Sequence, residues 1–152
     1  MFEKMFASRP ATFALAIALM ATSATAETAI SEQTKQGLTG TVNQFYAAIS
    51  EPVNDIAVAF KMAEDAQIEL RDLDIEQTGA EFVESLSEWA NVIEGGTIEH
   101  EIASLESAVY VVNVCYRFAA GDPYGTVETM TFTDDGRIAS MVQEARAESC
   151  DE

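Results

Sequence analysis

Glu128 is the residue whose type and setting most suggest chemistry. It lies in the run Tyr124 to Val142, YGTVETMTFTDDGRIASMV, which reads as two strands joined by a tight Asp134-Asp135-Gly136 turn. Side chains alternate across a strand, so Glu128 shares a face with Met130 and Phe132. A carboxyl in line with two large apolar side chains is expected in a pocket wall. There its charged form is disfavoured, so it stays protonated and can donate a hydrogen bond. The alternative is an ion pair with Arg71 or Arg117, or a place near the rim in water.

Two weaker candidates accompany it. His100 is the only histidine, and an imidazole can shuttle a proton near neutral pH. The alternative is an ordinary, partly exposed strand residue, since a base needs a positioned partner. Asp72 is a second carboxylate that could assist. Tyr46, Tyr110, Tyr116, Tyr124 and Trp89 supply aromatic bodies with polar tips, which suit a core or the wall of an apolar pocket.

Other chemistries find little support. One histidine and scattered carboxylates form no ligand cluster of recognisable spacing, so no metal is expected. Asp134 and Asp135 precede Gly136, where aspartate suits a hairpin turn for backbone reasons rather than a calcium site. Neither a Gly-rich phosphate loop nor a serine elbow is present. A cysteine nucleophile has little behind it, and no cofactor is expected.

The chain that must position these groups begins with a targeting segment. Lys4 and Arg9 give a basic start, Thr12 to Met20 is a short apolar run, and Ala24-Thr25-Ala26 is a small-x-small cleavage site. Residues 1–26 are therefore expected to be a secretory signal, with an uncleaved anchor as the alternative, and the product is expected in the periplasm or outside the cell. Residues 27–152 suit one domain with one core. The net charge of −18 repels phosphate backbones and anionic lipid, so neither nucleic acid nor a membrane is an expected partner after cleavage. In an exported chain the two cysteines, Cys115 and Cys150, invite a disulfide; two unrelated thiols are the alternative.

Periodicity supplies the elements. Ser31 to Ser50 reads as a helix with Leu38, Val42, Phe45, Tyr46 and Ile49 on one face. Pro52 suits the first turn of a second helix carrying Ile56, Ala59, Phe60 and Ala63, ending near Asp65. Gln67 to Arg71 alternates as a short strand. Thr78 and Glu81 form a capping box for a third helix with Phe82, Leu86, Trp89, Ala90 and Ile93 on its apolar face, stopped by Gly95-Gly96. Four strands follow: Thr97 to Glu106, Val109 to Ala119, Thr126 to Thr133 and Arg137 to Glu144. Helices first and a meander after them make an α+β chain. Glu148 to Glu152 reads as a loose tail unless Cys150 pins it.

In order and spacing the chain resembles the nuclear transport factor 2-like superfamily, close to its SnoaL-like branch. The pieces are VNQFYAAIS on the first helix, AVAFKMAEDAQIEL from the second helix into a strand, the capped third helix, and VETMTFTDDGRIASM at the end. The likeness spans roughly Gly37 to Glu144. It implies a cone-shaped, curved antiparallel sheet packed on N-terminal helices, a cystatin-like roll with an open pocket. Many members dimerise through the outer sheet face, so a homodimer is an expectation. In ketosteroid isomerase, the best-understood comparison, an oxyanion hole pairs a helix-one tyrosine with a protonated aspartate, and a second aspartate is the base. Glu128 matches the protonated aspartate. Phe45 falls on the tyrosine position, with Tyr46 one residue on and rotated away by about 100°. Leu70 falls on the base position, with Asp72 two residues beyond.

The expected function is therefore binding of a small apolar or aromatic molecule in the concave face of the sheet. Its wall is expected from Tyr46, Phe60, Trp89, Tyr110, Val112, Tyr116, Glu128 and Met130, with Glu128 orienting the ligand. One alternative is an isomerase, cyclase or hydrolase using Glu128 as acid, assisted by Tyr46, His100 or Asp72. Another is a non-catalytic, dimeric interaction module. A second polar group within hydrogen-bond reach of Glu128 is the feature that would favour the enzyme.

Overall fold

The structure, a computed structural model, describes residues 31–147 and 150. The expected signal segment, and the expected tail apart from Cys150, lie outside the described residues.

Helix α1, Glu32–Ile49, starts where the Ser31 hydroxyl accepts from the Thr34 amide. It buries Leu38, Val42, Phe45, Tyr46 and Ile49, the face read from periodicity, together with Thr41 and Ala48. Helix α3, Gly79–Ile93, carries the expected capping box. The Glu81 amide donates to Thr78 Oγ1 at 3.2 Å, and the Thr78 amide donates to Glu81 Oε2 at 2.7 Å. Gly79 is required there, since a Cβ would fall 2.0 Å from the Ala63 carbonyl oxygen.

Helix α2 departs from expectation. It runs only Asp55–Lys61, is capped by Asn54, and leaves Pro52 outside. Its buried residue is Val58, while Ile56 and Phe60 are 66% and 74% exposed. The chain then turns directly into strand β1, Met62–Leu70. Met62, Ala63, Ala66 and Ile68 are buried there, and this burial within the sheet overrides the helical continuation read through Asp65. Strand β2, Ile75–Thr78, is a further departure from expectation; four residues, three of them polar, carry no alternation that stands out.

The remaining strands are β3 Thr97–Glu106, β4 Val109–Arg117, β5 Tyr124–Phe132 and β6 Ile138–Ala145. Together the six form one sheet in the order β2-β1-β6-β5-β4-β3. The meander is antiparallel as expected, but β1 runs parallel to β6, so the sheet is mixed. The parallel pair arises because helix α3 and the whole meander intervene, and the last strand returns beside the first. Register shifts in three strand pairs bend the sheet around α1 and α3. The core lies inside that curve, with Val42, Phe45, Val112, Met130 and Ile138 fully buried.

Cys115 and Cys150 are joined in a disulfide that ties residue 150 to β4. Closing a loop of 35 residues contributes about 4 kcal/mol on the chain-entropy account.

Candidate functional site

Glu128 sits in the middle of β5, opposite Val112 on β4 and Gln143 on β6. Its side chain is 1% exposed. Three hydroxyls donate to it: Tyr46 to Oε2 at 2.7 Å, Tyr116 to Oε1 at 2.6 Å and Thr126 to Oε1 at 3.0 Å. The alternative ion pair is not formed, because Arg71 binds Glu69 and Glu144 while Arg117 binds Glu99. Burial pushes the Glu128 carboxyl above its ordinary range, although the three hydroxyls pull the other way. The same burial, with Glu128 close by, pushes both Tyr46 and Tyr116 well above theirs.

Tyr46 corrects the positional reading. It was expected to point away, with Phe45 nearer the acid. The curved sheet instead covers enough of α1 that both side chains are fully buried, with their rings edge to face at 5.2 Å. Tyr46 reaches Glu128 and Phe45 faces a cavity.

That cavity has a volume of about 480 Å³. Phe45 and Ile49 of α1 and Phe82, Leu86 and Trp89 of α3 form one side. Tyr116, Glu128, Met141 and Gln143 of the sheet form the other. Leu73, Ile75 and Val92, also in its wall, are between 41% and 55% exposed and so mark its mouth. Trp89 is fixed by its indole N–H, which donates to the Ile49 carbonyl at 2.7 Å, and its ring meets Tyr116 edge to face at 5.6 Å.

A second carboxylate stands behind this wall. Asp72, in the turn between β1 and β2, accepts from the Tyr124 hydroxyl. It also accepts from Gln143 Nε2, which lies 3.0 Å from each carboxylate oxygen. The bond to Asp72 is the main reason the Tyr124 hydroxyl is pushed up to about 12. Asp72 does not line the cavity, but both of its partners do.

Of the sequence-derived wall, Trp89, Tyr116 and Glu128 line the cavity and Tyr46 lies directly behind the acid. The others lie elsewhere. Phe60 projects into solvent because α2 turns its Val58 face inward. Val112 and Met130 are fully buried core, since α1 fills the space above that part of the sheet. Tyr110 is buried too, bonded to Thr39 and to the Lys35 carbonyl. His100 stacks on the Tyr46 ring at 4.5 Å, with Nε2 bonded to Asn43 at 2.9 Å; burial pushes its imidazole down, and it makes no bond to Glu128. Sequence reasoning missed Gln143 and the β2 side of the mouth. Gln143 had a readable signal: it shares the inward row of β6 with Met141, where a polar residue is out of place.

No family model matches the chain, and no curated protein matches its sequence. Solved structures do match in shape. The epoxide hydrolase/cyclase-like enzyme SalBIII of pyran ring formation in polyether salinomycin superposes with a TM-score of 0.61 at 19% identity, over 76% of this chain and 95% of that one. An NTF-2 like protein of unknown function from Burkholderia xenovorans gives 0.61 at 14% identity, over 76% and 88%. An LEH-like epoxide hydrolase of M. tuberculosis gives 0.59 at 15%, over 73% and 84%. At such identities the likeness is one of fold: the chain has the nuclear transport factor 2-like α+β fold.

Proposed function

We propose that this chain is an exported protein of the SnoaL-like type that binds a small, largely apolar molecule, with Glu128 fixing the orientation of the ligand. The observation that carries this reading is the cavity of about 480 Å³, apolar along most of its wall and bordered by a carboxyl held by three hydroxyls. Small-molecule sites typically occupy about 300–1,000 Å³ and combine an apolar wall with a few placed polar groups. The basic, apolar and small-residue layout of residues 1–26 supports export.

Trp89, the only tryptophan, lines the cavity and serves as the reporter. Titrating a neutral aromatic such as biphenyl into the processed chain is expected to change its emission, saturating at one molecule per chain. Ser85→Phe places a ring in the cavity wall and is expected to abolish that change with the far-ultraviolet spectrum intact. Saturation unaffected by Ser85→Phe, or none at all, contradicts the reading.

A second reading, an isomerase, cyclase or hydrolase using Glu128 as acid, draws support from Tyr46 and Tyr116 within hydrogen-bond reach of Glu128. Native mass spectrometry of material exported to a bacterial periplasm separates the two. A retained ligand that stays unchanged on incubation favours binding. Conversion of that ligand, lost in Glu128→Gln, favours catalysis.

A further inference from the structure

The polar side chains of the cavity wall are unbalanced in what they offer a ligand. Five of them carry a donor that is already committed to the protein. Tyr116 donates to Glu128, Tyr124 and Gln143 donate to Asp72, Ser85 donates to the Phe82 carbonyl, and Trp89 donates to the Ile49 carbonyl. A carboxylate only accepts, so Asp72 fixes the orientation of the Gln143 amide: one N–H is shared between the two Asp72 oxygens and the carbonyl oxygen points away from them. Among the described residues the remaining donors on wall side chains are those of Gln77 and the second N–H of Gln143, and no Lys, Arg or His lines the cavity. What remains for a ligand is a set of acceptors: the Glu128 carboxyl, the Gln143 carbonyl and the lone pairs of two tyrosine oxygens.

We propose that the cavity takes an organic cation, a protonated amine carried on an apolar or aromatic body. This rests on the small-molecule reading above and names the class of molecule. An ammonium brings several N–H donors to a wall of acceptors, and its charge favours the ionised form of Glu128, for which the three hydroxyls supply no countercharge. The rings of Trp89, Tyr116 and Phe118 stand 5.6–6.4 Å apart, giving the cation aromatic faces that attract it. A ligand carboxylate would stand beside the carboxyls of Glu128 and Asp72 and find few donors. A neutral carbonyl fares little better, because Tyr46 and Tyr116 aim their hydroxyls at Glu128 and not into the cavity. The net charge of −18 also draws cations toward the protein.

The test is a matched series with one body and three ends: phenylbutylamine, phenylbutanol and phenylbutyrate, titrated calorimetrically into the processed chain near neutral pH. The amine is expected to bind about tenfold or more tighter than the alcohol, with the carboxylate weakest. Ser85→Phe is expected to abolish the amine signal, which separates cavity binding from attraction to an acidic surface; a signal that survives it overturns the site. Alcohol binding equal to or tighter than amine binding overturns the cation inference and leaves the small-molecule reading standing. If none of the three binds, and biphenyl also fails, both readings fall. In Glu128→Gln the amine preference is expected to shrink to about threefold or less; an unchanged preference removes Glu128 from the recognition. The series on the native chain stands even where that variant does not fold.

Discussion

Glu128 and Asp72 carry the same functional group, and each receives a tyrosine hydroxyl, yet the fold treats them differently. Glu128 sits at the centre of a middle strand, almost without solvent, and all three of its partners are neutral hydroxyls. Asp72 sits in a turn at the sheet edge, half-buried, with Tyr124 and Gln143 as partners. The first carboxyl is held above its ordinary range by burial. The second acts by holding two wall residues in place. The element that carries a carboxyl, more than the number of its hydrogen bonds, decides whether it becomes a tuned group or a positioning one.

Truncation is the sharpest way to break this comparison. Glu128→Ala leaves two buried tyrosine hydroxyls and one threonine hydroxyl without their acceptor, and is expected to cost about 3 kcal/mol or more. Asp72→Ala, beside solvent, is expected to cost about 1 kcal/mol. Urea denaturation of both variants measures the difference, and equal losses would show that the two sites are energetically alike. A smaller contrast separates the tyrosines. Tyr46→Phe and Tyr116→Phe each remove a donor from Glu128 and should cost about 1–2 kcal/mol, whereas Tyr124→Phe should cost about 0.5 kcal/mol. Thermal melts rank the three, and a Tyr124→Phe loss as large as the others reverses the ordering.

The pH dependence has a definite sign. Because the folded Glu128 carboxyl titrates above its unfolded value, the folded state holds that proton more tightly. Its contribution to stability is present below the ordinary value of 4.5 and is lost as pH rises through the raised folded value. The wild-type chain should therefore lose stability relative to Glu128→Gln as pH climbs from 4.5 through that window. A difference that stays flat, or that runs the other way, places the Glu128 carboxyl in its ordinary range or below.

Much of this was legible in the residues, for reasons that also explain what was not. The capped third helix, the Asp-Asp-Gly turn and the inward face of β4 are local patterns, and the structure follows them. Glu128 stood out because a carboxyl in an apolar row is a local anomaly. Whether Phe45 or Tyr46 reaches it depends on how far the sheet wraps α1, which neighbouring residues do not encode. Phe60 reads as a pocket-wall residue because short helices have ambiguous faces; only the packing against α1, α3 and β1 chooses Val58. The parallel pairing of β1 with β6 likewise joins segments about as far apart as the domain allows.

The most direct test of the central claim is isotope-edited NMR of the Glu128 side-chain carboxyl carbon through a pH titration, with and without phenylbutylamine. A carboxyl that titrates above 4.5 and shifts on adding the amine is the expected result. A carboxyl that titrates at or below 4.5, and does not respond to amine, alcohol or biphenyl, would contradict a buried acid serving a ligand cavity.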